Sequence, residues 1–189
     1  MKNLKFALAI IATVSVLSLN GQTSGKFVSK NTHIKFFSTT PVEDIEAHNY
    51  ASVSTLEPSS GEVVFSVPMQ SFEFEKAMMQ KHFNNEHFLV TSEYPKAKFK
   101  GLITNLDEID FAEEGEYKAE IQGEMTIKDK TNPINETGTI TVNKKDTEVN
   151  STFSIVLADY GITFDEGEMV ASKIGKTVEI TVTGKYRVQ

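Results

Sequence analysis

Cysteine is absent from the 189-residue sequence, so the chain has no disulfide and its core must hold it together. The same absence excludes a lipid-modified N-terminal cysteine. A surplus of positive charge is missing too, because 19 lysines and arginines stand against 26 acidic residues and the net charge is −7. An acidic chain without a basic stripe argues against nucleic acid and anionic membrane surfaces as partners.

No apolar run is long enough to cross a bilayer comfortably. Residues 6–19 are apolar apart from three hydroxyl-bearing residues, and two lysines precede them. This is the pattern of a cleaved signal peptide, with a retained membrane anchor as the alternative. We therefore predict a signal peptide at residues 1–21 and a single domain at residues 22–189. The mature protein would have no stable membrane span and would be periplasmic or secreted.

Motifs of catalysis and of metal binding are missing as well. The sequence has no G-x-S-x-G nucleophile elbow and no phosphate-binding loop. His82 and His87 are five residues apart, whereas a helical zinc pair needs a spacing of four, and a third ligand would have to come from the distant His33 or His48. Asp159 is the one acid that could approach the rim of an interior. We predict that the protein is not an enzyme and carries no metal and no cofactor.

Alternation of apolar and polar residues with a period of two dominates the rest of the chain. From Tyr117 to Ile127 every second residue belongs to one face, and the residues between them are polar. Similar alternation occurs in residues 32–37, 61–69, 96–103, 148–162 and 176–188. Long strands with one apolar face are typical of an antiparallel sheet whose apolar side is turned inward. Turn sequences at 57–61, 113–115, 130–133 and 143–146 are expected to separate the strands.

Residues 71–84 interrupt this rhythm. Phe74, Ala77 and Met78 have the i, i+3, i+4 spacing of a helical face. The spacing predicts a short helix with Ser71 as its N-cap and two glutamates in its first turn, where the helix dipole favours anions.

Two architectures fit the strands: a sandwich and a closed up-and-down barrel. A barrel of about eight strands has an interior just large enough for side chains or for one small ligand. The inward face includes the small residues Ala119, Gly123 and Ser151. They either leave room in the middle or fit close strand packing, and the sequence leaves both interpretations open.

Several stretches, taken in order, resemble the YceI-like family of secreted or periplasmic bacterial proteins, which are described as polyisoprenoid-binding. The stretches are THIKFF, SGEVVFSVPMQSF, HFLVTSEYPKAKFKG, GEMTIKDKTNPI, STFSIVLADYGI and GKTVEITVTGKY. Thr32 and His33 stand where the family usually has His-Ser, and Leu157 stands where many members carry an arginine. These departures bear on the identity of a ligand more than on the fold.

The resemblance implies an all-β fold, an eight-stranded antiparallel lipocalin-like barrel with one short helix near residues 71–84 at one end. It also implies an exported carrier or sequestering protein, with a link to stress, that holds a polyisoprenoid or fatty-acid-like chain in an apolar tunnel. A homodimer is compatible with the sequence. The alternative is a filled barrel that acts through its surface as an envelope protein without a ligand. The candidate lining residues are the inward-facing Ile34, Phe36, Val63, Phe65, Val67, Phe74, Met78, Phe99, Ala119, Ile121, Met125, Phe153, Ile155, Val178 and Ile180.

Overall fold

The structure is a computed structural model that describes residues 25–39, 43–163 and 175–188. It contains nine strands and one α-helix within these ranges. The strands are β1 (Phe27–Thr39), β2 (Asp44–Glu57), β3 (Glu62–Pro68), β4 (Phe72–Phe74), β5 (Lys96–Ile103), β6 (Gly115–Ile127), β7 (Lys130–Val142), β8 (Thr147–Val156) and β9 (Thr177–Val188), and the helix is α1 (Ala77–Asn84). Short 3-10 turns occupy Met69–Ser71, Leu106–Glu108 and Leu157–Tyr160. The predicted signal peptide at residues 1–21 lies outside the described residues.

Eight long antiparallel strands close into a barrel. The hydrogen-bonded order is β1-β9-β8-β7-β6-β5-β3-β2, and β2 pairs with β1 to complete the ring. The three-residue β4 adds to the other edge of β2. The barrel is therefore confirmed over the sandwich, and closure gives each of the eight long strands a paired neighbour on both sides over at least part of its length.

The helix exists but begins later than predicted. Residues Phe72–Phe74 form β4, and the helix starts at Ala77 with Lys76 as its N-cap. Phe72 and Phe74 alternate around one glutamate, and they pair with Asn49 and Ala47 of β2. Ser71 is therefore not an N-cap, because strand pairing with burial of Phe72 outweighs a helical turn whose start no side chain caps.

The turns are also partly as predicted. Gly61 closes the β2–β3 connection at a φ of +71°, and the amide of Asn143 donates to the carbonyl of Asp146 at 2.9 Å in the β7–β8 connection. The predicted turn at residues 130–133 is wrong, because Pro133 lies within β7 opposite Glu124. The chain reverses earlier, at Lys128, which adopts a φ of +55°.

Two apolar clusters fill the two ends of the barrel. One packs under α1, β4 and the 3-10 turn after β8, and Phe83 is its helical member. The other lies at the opposite end, where the β2–β3 and β7–β8 hairpins and the loop before β6 meet. The space between the two clusters is where an interior site can lie.

Candidate functional site

The barrel encloses a cavity of about 880 Å³, within the usual range of 300–1,000 Å³ for small-molecule sites. Its wall takes residues from all nine strands and from α1, and most of them are apolar. The inward side chains of opposite strands line this space without filling it, so the interior of the barrel is hollow.

The structure brings fourteen of the fifteen predicted lining residues together on this wall. They are Ile34, Phe36, Val63, Phe65, Val67, Phe74, Met78, Phe99, Ile121, Met125, Phe153, Ile155, Val178 and Ile180. Ala119 is the exception: it is fully buried among the residues that close the barrel beyond the cavity. Its side chain therefore packs the barrel end and does not face the hollow.

The three small inward residues have different roles. Ser151 lies on the cavity wall and leaves room in the interior. Gly123 stands opposite Gly101, and a Cβ at Gly123 would lie 2.7 Å from the ring of Phe99. The two glycines therefore let the Phe99 ring lie flat against the wall. Both earlier interpretations hold, each for a different residue.

One end of the cavity is closed. Leu56, Ile140 and Tyr186 line this end and are almost completely buried. Behind them, Phe27 and Ile109 belong to the same cluster without lining the cavity. A chain that entered from the other end would therefore meet a floor of packed apolar side chains.

The hydroxyl groups at the floor are hydrogen-bonded to one another. The hydroxyl of Tyr186 hydrogen-bonds to the hydroxyl of Ser54 at 2.6 Å, and Ser54 bonds to Thr32, also at 2.6 Å. Burial raises the pKa of Tyr186 to about 12, so the phenol stays neutral. The polar groups of the floor are thus satisfied by one another inside the wall.

The other end carries α1 and polar side chains. Phe83 points from α1 into the barrel, where its ring centroid lies 5.6 Å from that of Phe36 and 5.1 Å from that of Phe74. Glu43 and Lys76 line this mouth and form an ion pair of 2.9 Å. The mouth is therefore partly polar, whereas the residues of the floor are mainly apolar.

Sequence reasoning missed several residues of the wall and mouth. They include Met69, Phe72, Met79, Phe83, Phe88, Leu89, Ile134, Glu136 and Ile140. Phe88 and Leu89 lie in turns after α1, where no periodicity indicates a direction. A signal was available for Glu136, because it occupies an inward position between Ile134 and Ile140 on β7.

The histidines do not form a site inside the barrel. His82 lies at the mouth, and His33 and His48 belong to the outer face. Nε2 of His33 is 3.0 Å from Nδ1 of His48, whose Nε2 is 2.9 Å from a carboxylate oxygen of Glu46. The ring of His33 also stacks on that of Tyr50, with centroids 4.5 Å apart. This network joins β1 to β2 beside the irregular register of β1.

Replacing His33 with glutamine is expected to reduce the loss of stability in acid. Burial, His48 and Lys35 lower the pKa of His33 below its ordinary value of 6.5. The unfolded chain therefore binds this proton more readily, and the free energy of unfolding falls as the pH drops from about 6.5 through the lowered pKa. Urea unfolding at neutral and acid pH measures the effect, with the exposed His87→Gln as control. An unchanged acid-side loss in His33→Gln would contradict the assignment.

Nothing in the described ranges forms a metal cluster, since no three His, Cys, Asp or Glu side chains there are placed to hold an ion. Asp159 lies in the 3-10 turn after β8, where its backbone carbonyl accepts a hydrogen bond from Asn132 at 2.8 Å. Over the same part of the chain, no helix has the length and apolar character needed to span a bilayer.

A model of the YceI-like domain matches residues 10–186. The fold is similar to that of a polyisoprenoid-binding domain from Saccharophagus degradans implicated in plant cell wall breakdown, with 11% identity, 87% of this chain and 99% of that chain covered, and a TM-score of 0.73. It is also similar to BcnA of Burkholderia cenocepacia, with 15% identity, 83% and 96% covered, and a TM-score of 0.66. No curated protein matches the sequence significantly. At these identities the solved structures show a shared fold.

Proposed function

The chain belongs to the YceI-like family, and on that premise we propose that its barrel binds one long apolar chain, such as a polyisoprenoid, as a carrier or sequestering protein. The observation that carries the proposal is the apolar cavity of about 880 Å³ with one closed end. The polyisoprenoid-binding domain from Saccharophagus degradans, which has a similar fold, supports the choice of ligand class.

The energetics of the wall favour this ligand. Phe65, Met125 and Ile180 face the interior and yet are only partly buried, so apolar surface remains for a guest to cover. Each buried methylene contributes about 0.8 kcal/mol, and ten of them would supply about 8 kcal/mol, which corresponds to micromolar affinity. Phenylalanine adds area, and methionine adapts its shape to a flexible chain.

The rest of the proposal concerns context. The leader pattern in residues 1–21 supports action in the periplasm or outside the cell, and a stress-related role stays a prediction. We propose binding without catalysis or a cofactor, because the polar groups that the described residues place around the cavity do not form a set of acid, base and nucleophile. The filled-barrel alternative needs an interior without a void, so the cavity removes its main support.

Titration with retinol tests the proposal, because retinol is a fluorescent isoprenoid alcohol whose emission rises in apolar surroundings. Solvent-stripped protein is expected to bind one retinol per chain with micromolar or tighter affinity, and geranylgeraniol should displace it. The absence of saturable binding of both alcohols would count against the proposed function.

A further inference from the structure

The barrel wall is split between β7 and β8. These strands pair only from Thr139 opposite Asn150 to Val142 opposite Thr147. Both strands continue beyond this ladder, β7 along β6 and β8 along β9. Residues 133–138 of β7 and 151–156 of β8 therefore border a slot, and within the described part of the chain no ladder bridges them.

The two ends of this slot are tied by side chains. Near the ladder, the hydroxyl of Ser151 donates to the carbonyl of Thr137 at 2.7 Å. Toward the mouth, the side-chain amide of Asn132 donates to the carbonyl of Asp159 at 2.8 Å. The slot is thus a bounded feature of the folded wall.

Glu136 lies on the β7 edge of this slot and lines the cavity. It occupies an inward position of β7, opposite the cavity-lining Ile121 of β6. Its side chain is partly buried, and within residues 25–39, 43–163 and 175–188 it makes no hydrogen bond and no ion pair. Glu43, which also lines the cavity, is held by Lys76 at 2.9 Å. Glu136 is therefore a carboxylate in a mainly apolar wall, without an ion-pair partner in the described part of the chain.

An unpaired carboxylate at such a place accepts hydrogen bonds and repels anions. Its oxygens have acceptor capacity and no donor, so they complement an O–H or N–H group on a guest. Hydrogen bonds to charged groups are worth more than those between neutral groups. A phosphate or carboxylate at the same place would be repelled by the like charge of Glu136.

We propose that Glu136 is the headgroup site of the barrel and selects long apolar chains that end in a hydrogen-bond donor, a primary alcohol or an amine, against chains that end in an anion. This inference rests on the proposed function, because the apolar cavity must first take the chain. In this proposal the head lies beside Glu136 at the slot, where no strand ladder joins β7 to β8, while the tail occupies the interior.

Competition against retinol with three ligands of one chain length tests the selection. The ligands are geranylgeraniol, its methyl ether, which lacks the donor, and geranylgeranyl phosphate. The protein is expected to bind the alcohol about tenfold more tightly than the ether, from the typical strength of a charged hydrogen bond. The phosphate should bind at least about tenfold more weakly than the alcohol.

Two variants and a control assign the selection to Glu136. Glu136→Leu should bind the alcohol and the ether equally. Glu136→Gln keeps a hydrogen-bond acceptor but loses the charge, so its main change should be a higher affinity for the phosphate. Glu124→Gln, on the exposed outer face of β6, should leave all ratios unchanged. An alcohol-to-ether ratio that is the same in Glu136→Leu and the parent protein would overturn the inference. Because ratios are compared, a uniform change in all affinities cannot imitate the effect, and a failure to bind retinol would instead refute the proposed function.

Discussion

Ser151→Phe is expected to weaken the binding of an apolar chain by about a hundredfold while the barrel stays folded. Ser151 is a small residue on the cavity wall, so a benzyl group there occupies space that a guest would fill. If the ring displaces about four methylenes at about 0.8 kcal/mol each, the loss is about 3 kcal/mol, or about two orders of magnitude in Kd. Retinol titration measures the loss directly.

Thr152→Phe is the matched control, because Thr152 is the next residue on β8 and lies on the exposed outer face. It adds a similar volume to the same strand outside the cavity and should leave the retinol affinity nearly unchanged. Circular dichroism should show the same sheet content in both variants. If both bind retinol as tightly as the parent protein, the interior is not where the chain is held.

Gly123→Ala is expected to lower the stability of the protein by about 3 kcal/mol, at the upper end for overpacking. A Cβ at this position would lie 2.5 Å from the Cα of Gly101 and 2.5 Å from the carbonyl oxygen of Lys100. Both contacts are with backbone atoms, so β5 and β6 must move apart. The Phe99 ring, 2.7 Å from the same Cβ, would also be pushed into the cavity. Thermal unfolding should show a fall in Tm of about 10 °C.

Gly115→Ala provides the comparison on the same strand. There the nearest atoms to a new Cβ belong to the side chain of Tyr117 at 3.3 Å, and a side chain can move by that small amount. We expect a change in Tm of no more than about 2 °C. Equal Tm values for the two variants would show that the close approach of β5 and β6 at Gly123 is not a constraint on the fold.

The strands and their inward faces could be predicted because alternation with a period of two is a local property of the sequence. The alternation from Tyr117 to Ile127 predicts one strand, and the structure has β6 at Gly115–Ile127. The start of the helix could not be predicted in this way. Phe74 fits both a helical face and an alternating pair with Phe72, and only the pairing of β4 with β2 decides between them.

The hollow interior could not be read from the same pattern. Phe65 and Ile180 would alternate with their polar neighbours in the same way in a filled core. Periodicity shows which face of a strand a side chain belongs to, but it does not give the distance across the barrel. The slot depends on where the β7–β8 ladder stops, at Thr139 opposite Asn150, and no local pattern in the sequence marks that point. Family resemblance supplied the barrel, whereas the place of Glu136 on its wall needed the structure.

Native mass spectrometry of protein purified without detergent tests most directly whether the barrel interior holds a chain. The account predicts that solvent-stripped protein takes up a single geranylgeraniol, seen as one mass adduct, and that Ser151→Phe at the same ligand concentration takes up almost none. A spectrum with only the bare protein mass, or with equal adducts on the parent protein and Ser151→Phe, would contradict it.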